Sequence, residues 1–291
     1  MDYIISATVK NEPIRIMAID STKLVTESCK IHGTSHTASA ALGRVMSTVA
    51  MLTSLLKNKK DKISVQIKCD GPIKNIIVVG NEKGEIKADI YNSEVSIPLN
   101  NKGKLDVSAA IGKGILTVIR DMGLKKPYIG TVEIVSGEIA QDFTYYFAVS
   151  EQIPSVVSLG VLVNPDGSIK KAGGYIIQLL PNHSEELVEY IENKIKNIPS
   201  MTSMLNDGNT PEDIIKKIFN EYKVDFTSEK VVEYYCDCNR NRFERGLISL
   251  GKQEIEDILY KDEKAEVKCH FCKKEYLFKR EDLEKMIEKM S

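Results

Sequence analysis

The sequence predicts an α/β protein of the α+β type, with an N-terminal domain of antiparallel-rich sheets and packed helices. A helical linker and a small C-terminal four-cysteine domain follow. Over residues 1–181, β-prone segments alternate with short turns, which is typical of antiparallel pairing. Over residues 182–230 the pattern changes to short amphipathic helices. Within residues 231–291, four of the six cysteines form two close pairs.

The N-terminal domain begins with a predicted hairpin, whose strands are residues 3–9 and 14–19 around the turn Asn11-Glu12-Pro13. Apolar residues at helical spacing then predict a helix over residues 35–56. Its many alanines favour helix and allow close packing against a sheet. Further strands are predicted at residues 63–68, 73–79, 85–91, 115–120, 129–135, 155–163 and 175–180, with a helix at 138–150.

The predicted linker, residues 182–230, contains helices that are short and interrupted by Pro199, Gly208 and Pro211. One helix is expected from residue 184 to 196, and a second begins at Thr210-Pro211, a typical helix start. Short helices depend on docking to the rest of the protein more than on their own propensity. The apolar residues expected to dock are Leu187, Ile191, Ile195, Ile214, Ile218 and Phe219.

The C-terminal segment, residues 231–291, has little material for a core. Of its 61 residues, 14 are acidic and 13 are basic. A segment this short and this polar needs another source of stability. The pairs Cys236/Cys238 and Cys269/Cys272 provide one, because four thiolates can close on one tetrahedral Zn²⁺. Structural zinc contributes about 10–16 kcal/mol of folding energy in small modules.

Composition limits the classes of partner. The net charge is −1 and the pI about 6.5, which argues against a general affinity for nucleic acid or anionic membranes. No apolar run reaches the ~20 residues that span a bilayer, and no signal peptide is apparent. We therefore expect a cytoplasmic protein. In that compartment, paired cysteines usually hold metal or perform redox chemistry.

The cysteine spacing alone leaves several interpretations open. A purely structural zinc ribbon is one, although ribbons usually have two residues between the members of both pairs. A zinc-ribbon nucleic-acid module is weakened by the near-neutral charge of residues 231–291. A thiol oxidoreductase using Cys269-His270-Phe271-Cys272 should have a βαβ pattern beside the motif, which is missing. His270 is a possible substitute ligand between two better-placed cysteines.

Beyond the cysteines, several motifs resemble the 33-kilodalton heat-shock protein family of redox-regulated bacterial chaperones. The resemblance covers nearly the whole chain. Its motifs are Cys236-Asp-Cys238 with Cys269-His-Phe-Cys272, Ala41-Leu42-Gly43-Arg44, Asp70-Gly71-Pro72, and the runs GKGILTVIRDMG (112–123), SGEIAQD (136–142), YYFAVSEQIPS (145–155), LGVLV (159–163) and AGGYIIQLLP (172–181). Cys69 departs from the glycine that this family commonly has before Asp-Gly-Pro.

The resemblance implies a holdase, not an enzyme, that is inactive while reduced and bound to one Zn²⁺. It implies that oxidation pairs Cys236 with Cys238 and Cys269 with Cys272 and releases the zinc. The C-terminal domain (231–291) and the linker (182–230) then unfold, and the chaperone domain (1–181) binds unfolding client proteins as a homodimer. We hypothesise that the six apolar linker residues cover, or are covered by, the client-binding surface. No nucleic-acid or membrane partner is expected.

Overall fold

The computed structural model describes residues 1–290, and the chain divides into two compact units, Met1–Tyr235 and a second that begins at Cys236. The first unit is organised on a ten-stranded sheet with the order β7-β6-β3-β4-β5-β10-β1-β2-β9-β8. The strands are β1 (Asp2–Val9), β2 (Ile14–Asp20), β3 (Lys62–Cys69), β4 (Asn75–Asn81), β5 (Glu85–Ile90), β6 (Gly114–Asp121), β7 (Tyr128–Glu133), β8 (Ser155–Val163), β9 (Ile169–Leu179) and β10 (Val224–Tyr234). The predicted α/β class with antiparallel-rich sheets is confirmed.

Pairing in this sheet is antiparallel except at β5–β10, where two residue pairs run parallel, Glu85 with Glu233 and Ile86 with Tyr234. Short turns connect β1 to β2, β3 to β4, and β4 to β5, as the turn signals predict. The β1–β10 pairing is different in kind, because it joins Asp2 to Val232 at the opposite end of the unit. This non-local pair connects the two halves of the sheet.

Four helices of the first unit precede the linker: α1 (Thr22–His32), α2 (His36–Thr53), α3 (Val107–Ile111) and α4 (Ala140–Val149). The predicted alanine-rich helix is α2, which is buried along most of its length. A Cβ atom at Gly43 would lie 2.7 Å from a methyl carbon of Val25 in α1 and 2.8 Å from one of Val161 in β8. Glycine is therefore what allows α2 to lie so close to both neighbours.

Helices α5 (Glu185–Asn197), α6 (Met201–Asn206) and α7 (Pro211–Ile218) fall within the predicted linker. The predicted start of α7 is present: the Thr210 hydroxyl accepts the Asp213 N–H, and the Asp213 carboxylate accepts the Thr210 N–H. These helices pack on β1, β2 and β9 and form a second apolar core, separate from the one under α2.

The end of the predicted helical linker differs from expectation. Residues 224–230 are not helical but form the first part of β10, so the predicted boundary at residue 231 falls inside a strand. The physical reason is long-range: the segment pairs along its length with β1. All three linker helices also belong to the first compact unit. The division of function at residues 181 and 230 stays a prediction.

The second unit contains α8 (Arg240–Ile248), α9 (Lys252–Asp262), the hairpin β11 (Lys264–Lys268) with β12 (Glu275–Lys279), and α10 (Arg280–Lys289). Its core is small. The buried members are Leu247, Ile255, Ala265, Tyr276, Phe278, Leu283 and Met286. A core of this size provides limited stability, as the charged composition predicts.

Across residues 1–290, none of the helices combines the length and the apolar character that crossing a membrane requires.

Candidate metal centre

The four paired cysteines converge in the second unit. Cys236 and Cys238 lie in the short segment between β10 and α8, and Cys269 and Cys272 lie in the turn between β11 and β12. Their four Sγ atoms are all within 4.8 Å of one another. The Sγ–Sγ distance is 3.7 Å from Cys236 to Cys269 and 3.3 Å from Cys238 to Cys272. Each of these short distances joins a cysteine of one pair to a cysteine of the other, so the four sulfurs surround one point.

These distances fit a tetrahedral metal ion. With zinc–sulfur bonds of ~2.3 Å, the sulfurs of a tetrahedron lie about 3.8 Å apart. A four-thiolate set suits Zn²⁺, and the side chains are half-buried or buried, as a closed structural site requires. His270 is exposed and is not part of the cluster.

The β11–β12 turn sets the position of the second pair. The N–H of Cys269 donates to the carbonyl of Lys274 (2.9 Å), and the N–H of Lys273 donates to the carbonyl of Cys269 (2.8 Å). Lys273 adopts a positive φ of 58°, which closes the turn. Below the turn, β11 and β12 pair antiparallel, from Lys268 opposite Glu275 at the turn to Lys264 opposite Lys279 at the far end. The hairpin thus orients Cys269 and Cys272 toward the same point.

Without a cation, ionisation of two of the four thiols, Cys236 and Cys272, is disfavoured. Burial raises the pKa of Cys236, and the neighbouring Cys238 and Cys269 add to the effect. Burial likewise raises the pKa of Cys272. Burial also acts to raise the pKa of Cys238, but hydrogen bonds from Tyr276 and Cys272 more than offset it, so its pKa is lowered. A bound divalent cation would supply the charge that four adjacent thiolates need.

Tyr276 is a functional candidate that the sequence-based reasoning missed. Its hydroxyl lies 3.2 Å from the Sγ of Cys238 and 3.1 Å from the carbonyl oxygen of Cys238, and both atoms can accept its proton. The hydrogen bond with Cys238 raises the pKa of the Tyr276 hydroxyl, which therefore remains a donor. The position follows the cysteine motif in an alternating strand, a pattern that indicates a buried residue but not its contact with sulfur.

Three basic side chains near the cluster form ion pairs with acids. Arg240 donates to the carboxylate of Asp282 (2.7 Å), and Arg242 lies 3.4 Å from that of Asp237. The exposed ion pair Lys268–Glu275 is at 3.1 Å. Pairs like these contribute little to stability individually. These three side chains are therefore not free to balance the charge of the thiolates.

Cys29 and Cys69 stand outside the cluster. Cys29 is buried and Cys69 is half-buried, both in the first unit. Burial raises the pKa of both thiols, so each carries less thiolate at neutral pH than a free cysteine. These two residues are the natural controls for experiments on the four clustered cysteines.

The six apolar linker residues lie together, on the face of the first unit that α5–α7 cover. Leu187, Ile191, Ile214, Ile218 and Phe219 are buried, and Ile195 is half-buried against the same cluster. Opposite them, the sheet contributes Ile5, Ala7, Val9, Ile14, Ile16, Ala18, Tyr175 and Ile177. Their contact with an apolar sheet face is therefore a feature of the structure, and their role in client binding stays a prediction.

Comparison with known proteins places these features in a family. The family model described as Hsp33 protein matches residues 2–279. The 33 kDa chaperonin of Caldanaerobacter subterraneus subsp. tengcongensis is 47% identical over 287 residues, covering 98% of each chain. That of Acetivibrio thermocellus is 43% identical over 286 residues, covering 98% of this chain and 97% of the other.

A solved structure of the same family has a similar fold. The crystal structure of the 33 kDa chaperonin (heat shock protein 33 homolog) from Thermotoga maritima has a TM-score of 0.91 and 38% sequence identity, and it covers 98% of this chain and 97% of the other. The family is one of chaperones and not of enzymes, as the motifs predict. On its sequence, its fold and the four clustered cysteines, the chain belongs to the Hsp33 family.

Proposed function

We propose that this protein is a redox-regulated holdase whose reduced, zinc-bound form is inactive and whose oxidised form binds unfolding proteins. The observation that carries the proposal is the convergence of four cysteine sulfurs within 4.8 Å of one another in a unit with a small core. Family membership supports the chaperone role.

Zinc is the proposed metal, one ion per chain, held by Cys236, Cys238, Cys269 and Cys272. The sulfur–sulfur distances of 3.3 and 3.7 Å support a tetrahedral thiolate site. When bound, the ion supplies a cross-link between the segment before α8 and the β11–β12 turn. Because the apolar core of this unit is small, most of its stability is expected to come from that cross-link.

Oxidation is the proposed trigger. The family resemblance assigns the disulfides as Cys236–Cys238 and Cys269–Cys272. All four sulfurs are mutually close, so proximity alone does not select this pairing. Each disulfide removes two thiolate ligands and two electrons, which a peroxide accepts. A metal without thiolates dissociates, and the second unit loses its cross-link.

The proposed client-binding surface is the apolar sheet face under α5–α7. These helices are short, and their packing on the sheet is incomplete. An apolar opening of about 140 Å³ remains between α5 and the β8–β9 edge, lined by residues that include Val156, Ile177, Val188 and Ile191. Helices held mainly by such docking open at low cost. Their departure would expose the face that includes Ile5, Ile14, Ile16 and Tyr175.

The chain connects the metal centre closely to this surface. Cys236 is the second residue after Tyr234, the end of β10, and β10 follows α7 after five residues. Along the chain, β10 is thus the element between the cysteines and the linker helices, and loss of order that begins at the cysteines would reach the helices by loosening this strand. We propose that oxidised chains act as homodimers on unfolded clients in the cytoplasm, without a nucleic-acid or membrane partner.

Peroxide with mild heating is expected to release about one zinc ion per chain and, together with that release, to suppress aggregation of a denatured client enzyme. Reduction followed by addition of zinc should reverse both changes. Zinc is measured with a colorimetric chelator and aggregation by light scattering. The control is the double variant Cys29→Ser/Cys69→Ser, which should respond like the wild type. Release of zinc with no gain in suppression would contradict the proposal.

A further inference from the structure

Tyr276 is closely packed beside Cys238, one of the four clustered cysteines. Its side chain is only 8% exposed, and its ring packs on that of Phe243 with 4.8 Å between the centroids. The ammonium group of Lys274 lies 5.5 Å from the ring centroid on the ring face. These contacts fix the hydroxyl 3.2 Å from the Sγ of Cys238.

The direction of this hydrogen bond follows from the charge of the sulfur. A thiolate that binds a metal has no proton, so the Tyr276 hydroxyl must be the donor of the pair, and its single proton is shared between this sulfur and the carbonyl oxygen of the same residue. Two of the other three sulfurs lie near backbone donors instead of a side-chain hydroxyl. The sulfur of Cys236 is near the backbone N–H of Cys238, and that of Cys272 is near the backbone N–H of Lys274. The bond to Cys238 comes from a side chain and can be removed by substitution.

We propose that Tyr276 is a positioning residue whose hydroxyl donates a hydrogen bond to the metal-bound sulfur of Cys238, strengthens metal binding and slows oxidation of this sulfur. The inference rests on the proposed four-cysteine zinc site. A charge-assisted hydrogen bond stabilises the thiolate and draws electron density from its lone pair. The same bond that favours metal binding therefore makes the sulfur a weaker nucleophile toward an oxidant. Tyr276 would set how much oxidant the switch tolerates.

The step that the hydrogen bond slows is attack of the sulfur on hydrogen peroxide. The thiolate attacks one oxygen, the O–O bond breaks, and a sulfenic acid and hydroxide form. A second thiolate attacks the sulfenic sulfur, the S–S bond forms, and a second hydroxide leaves. The two hydroxides take up two protons and become water. Two electrons pass from the sulfur pair to the peroxide.

The test is Tyr276→Phe in the full chain, which keeps the ring against Phe243 and removes the hydroxyl. Zinc affinity, measured by competition with a chelator, is expected to fall about 10- to 100-fold. The initial rate of zinc release by peroxide, starting from fully loaded protein, is expected to rise about 3- to 10-fold. The matched control is Tyr260→Phe, because Tyr260 lies in the same unit and is 90% exposed.

A spectroscopic measurement distinguishes the loss of this hydrogen bond from a general loss of structure in the variant. With Co²⁺ in place of zinc, the sulfur-to-cobalt charge-transfer band should shift in Tyr276→Phe and stay unchanged in Tyr260→Phe. Should Tyr276→Phe fail to fold, a ring-fluorinated tyrosine at position 276 keeps the hydroxyl and makes it a stronger donor. Peroxide-driven zinc release from that protein should then be slower than from the wild type.

Equal zinc affinity, equal release rate and an unshifted cobalt band in Tyr276→Phe would overturn the inference, as would unchanged release from the fluorinated protein. The outcome is independent of the chaperone switch. If peroxide released zinc without activating the wild type, the proposed function would fail, and the effect of Tyr276 on affinity and on the cobalt band would still be measurable.

Discussion

Loss of one zinc ligand is expected to unfold residues 236–290 and to leave the part of the first unit that contains α2 and β3 folded. We choose Cys269→Ser because Cys269 is the buried member of the cluster. Structural zinc contributes about 10–16 kcal/mol to folding in small modules, and native domains are stable by only about 5–15 kcal/mol. The small core of the second unit cannot replace a contribution of that size. Zinc content should fall to near zero.

Hydrogen exchange read by mass spectrometry measures this effect segment by segment. Peptides from α9, β11, β12 and α10 should exchange almost at the unfolded rate, while peptides from α2 and β3 remain protected. Cys69→Ser is the control, since Cys69 is half-buried in the first unit and lies outside the cluster. Native protection of β11 and β12 in a zinc-free Cys269→Ser protein would show that the apolar core alone supports the unit.

Shortening Leu187 to alanine is expected to activate the reduced protein. Leu187 is 0% exposed and contributes to the apolar cluster that joins α5 to the sheet. Buried leucine-to-alanine substitutions cost about 2–5 kcal/mol, which is a large share of what holds a short docked helix. Opening of α5–α7 would then expose the sheet face without oxidation. The reduced, zinc-loaded variant should suppress client aggregation, whereas the reduced wild type is expected not to.

Glu189→Ala on the same helix is the matched control. Glu189 is exposed, and alanine is an equally good helix former, so neither docking nor activity should change. Aggregation is followed by light scattering in the presence of reductant, and exposed apolar surface by binding of a fluorescent dye. If Leu187→Ala opens α5, as shown by hydrogen exchange, and stays inactive, then the face under α5–α7 is not the client-binding surface.

Local sequence patterns predicted the elements whose cause is itself local. The hairpins β1–β2 and β3–β4 have turn residues at the expected places, and α2 has its apolar residues at helical spacing. The spacing also predicted the four candidate metal ligands, because two cysteines one or two residues apart can bind one ion together. The start of α7 was visible from Thr210-Pro211.

Elements with weak local signals were missed. In α1, the buried face has helical spacing but includes the polar residues Ser28 and His32, and no side chain caps its N-terminus. Helices α3 and α6 have five and six residues, too few for a clear periodicity. The segment of β10 was assigned to a helical linker, although its residues are β-prone. Its strand depends on pairing with β1, more than two hundred residues earlier.

The sequence by itself therefore determined the family, the antiparallel-rich α/β class, the four metal-ligand candidates and the apolar residues of the linker helices, because each of these rests on short motifs that can be recognised without knowing how distant segments pack. The tertiary structure alone decided three other matters. It joined the halves of the sheet through β10, it placed the linker helices on the face of β1, β2 and β9, and it brought the Tyr276 hydroxyl to the sulfur of Cys238. Each is a contact between distant segments, and its geometry depends on the packing of the whole unit.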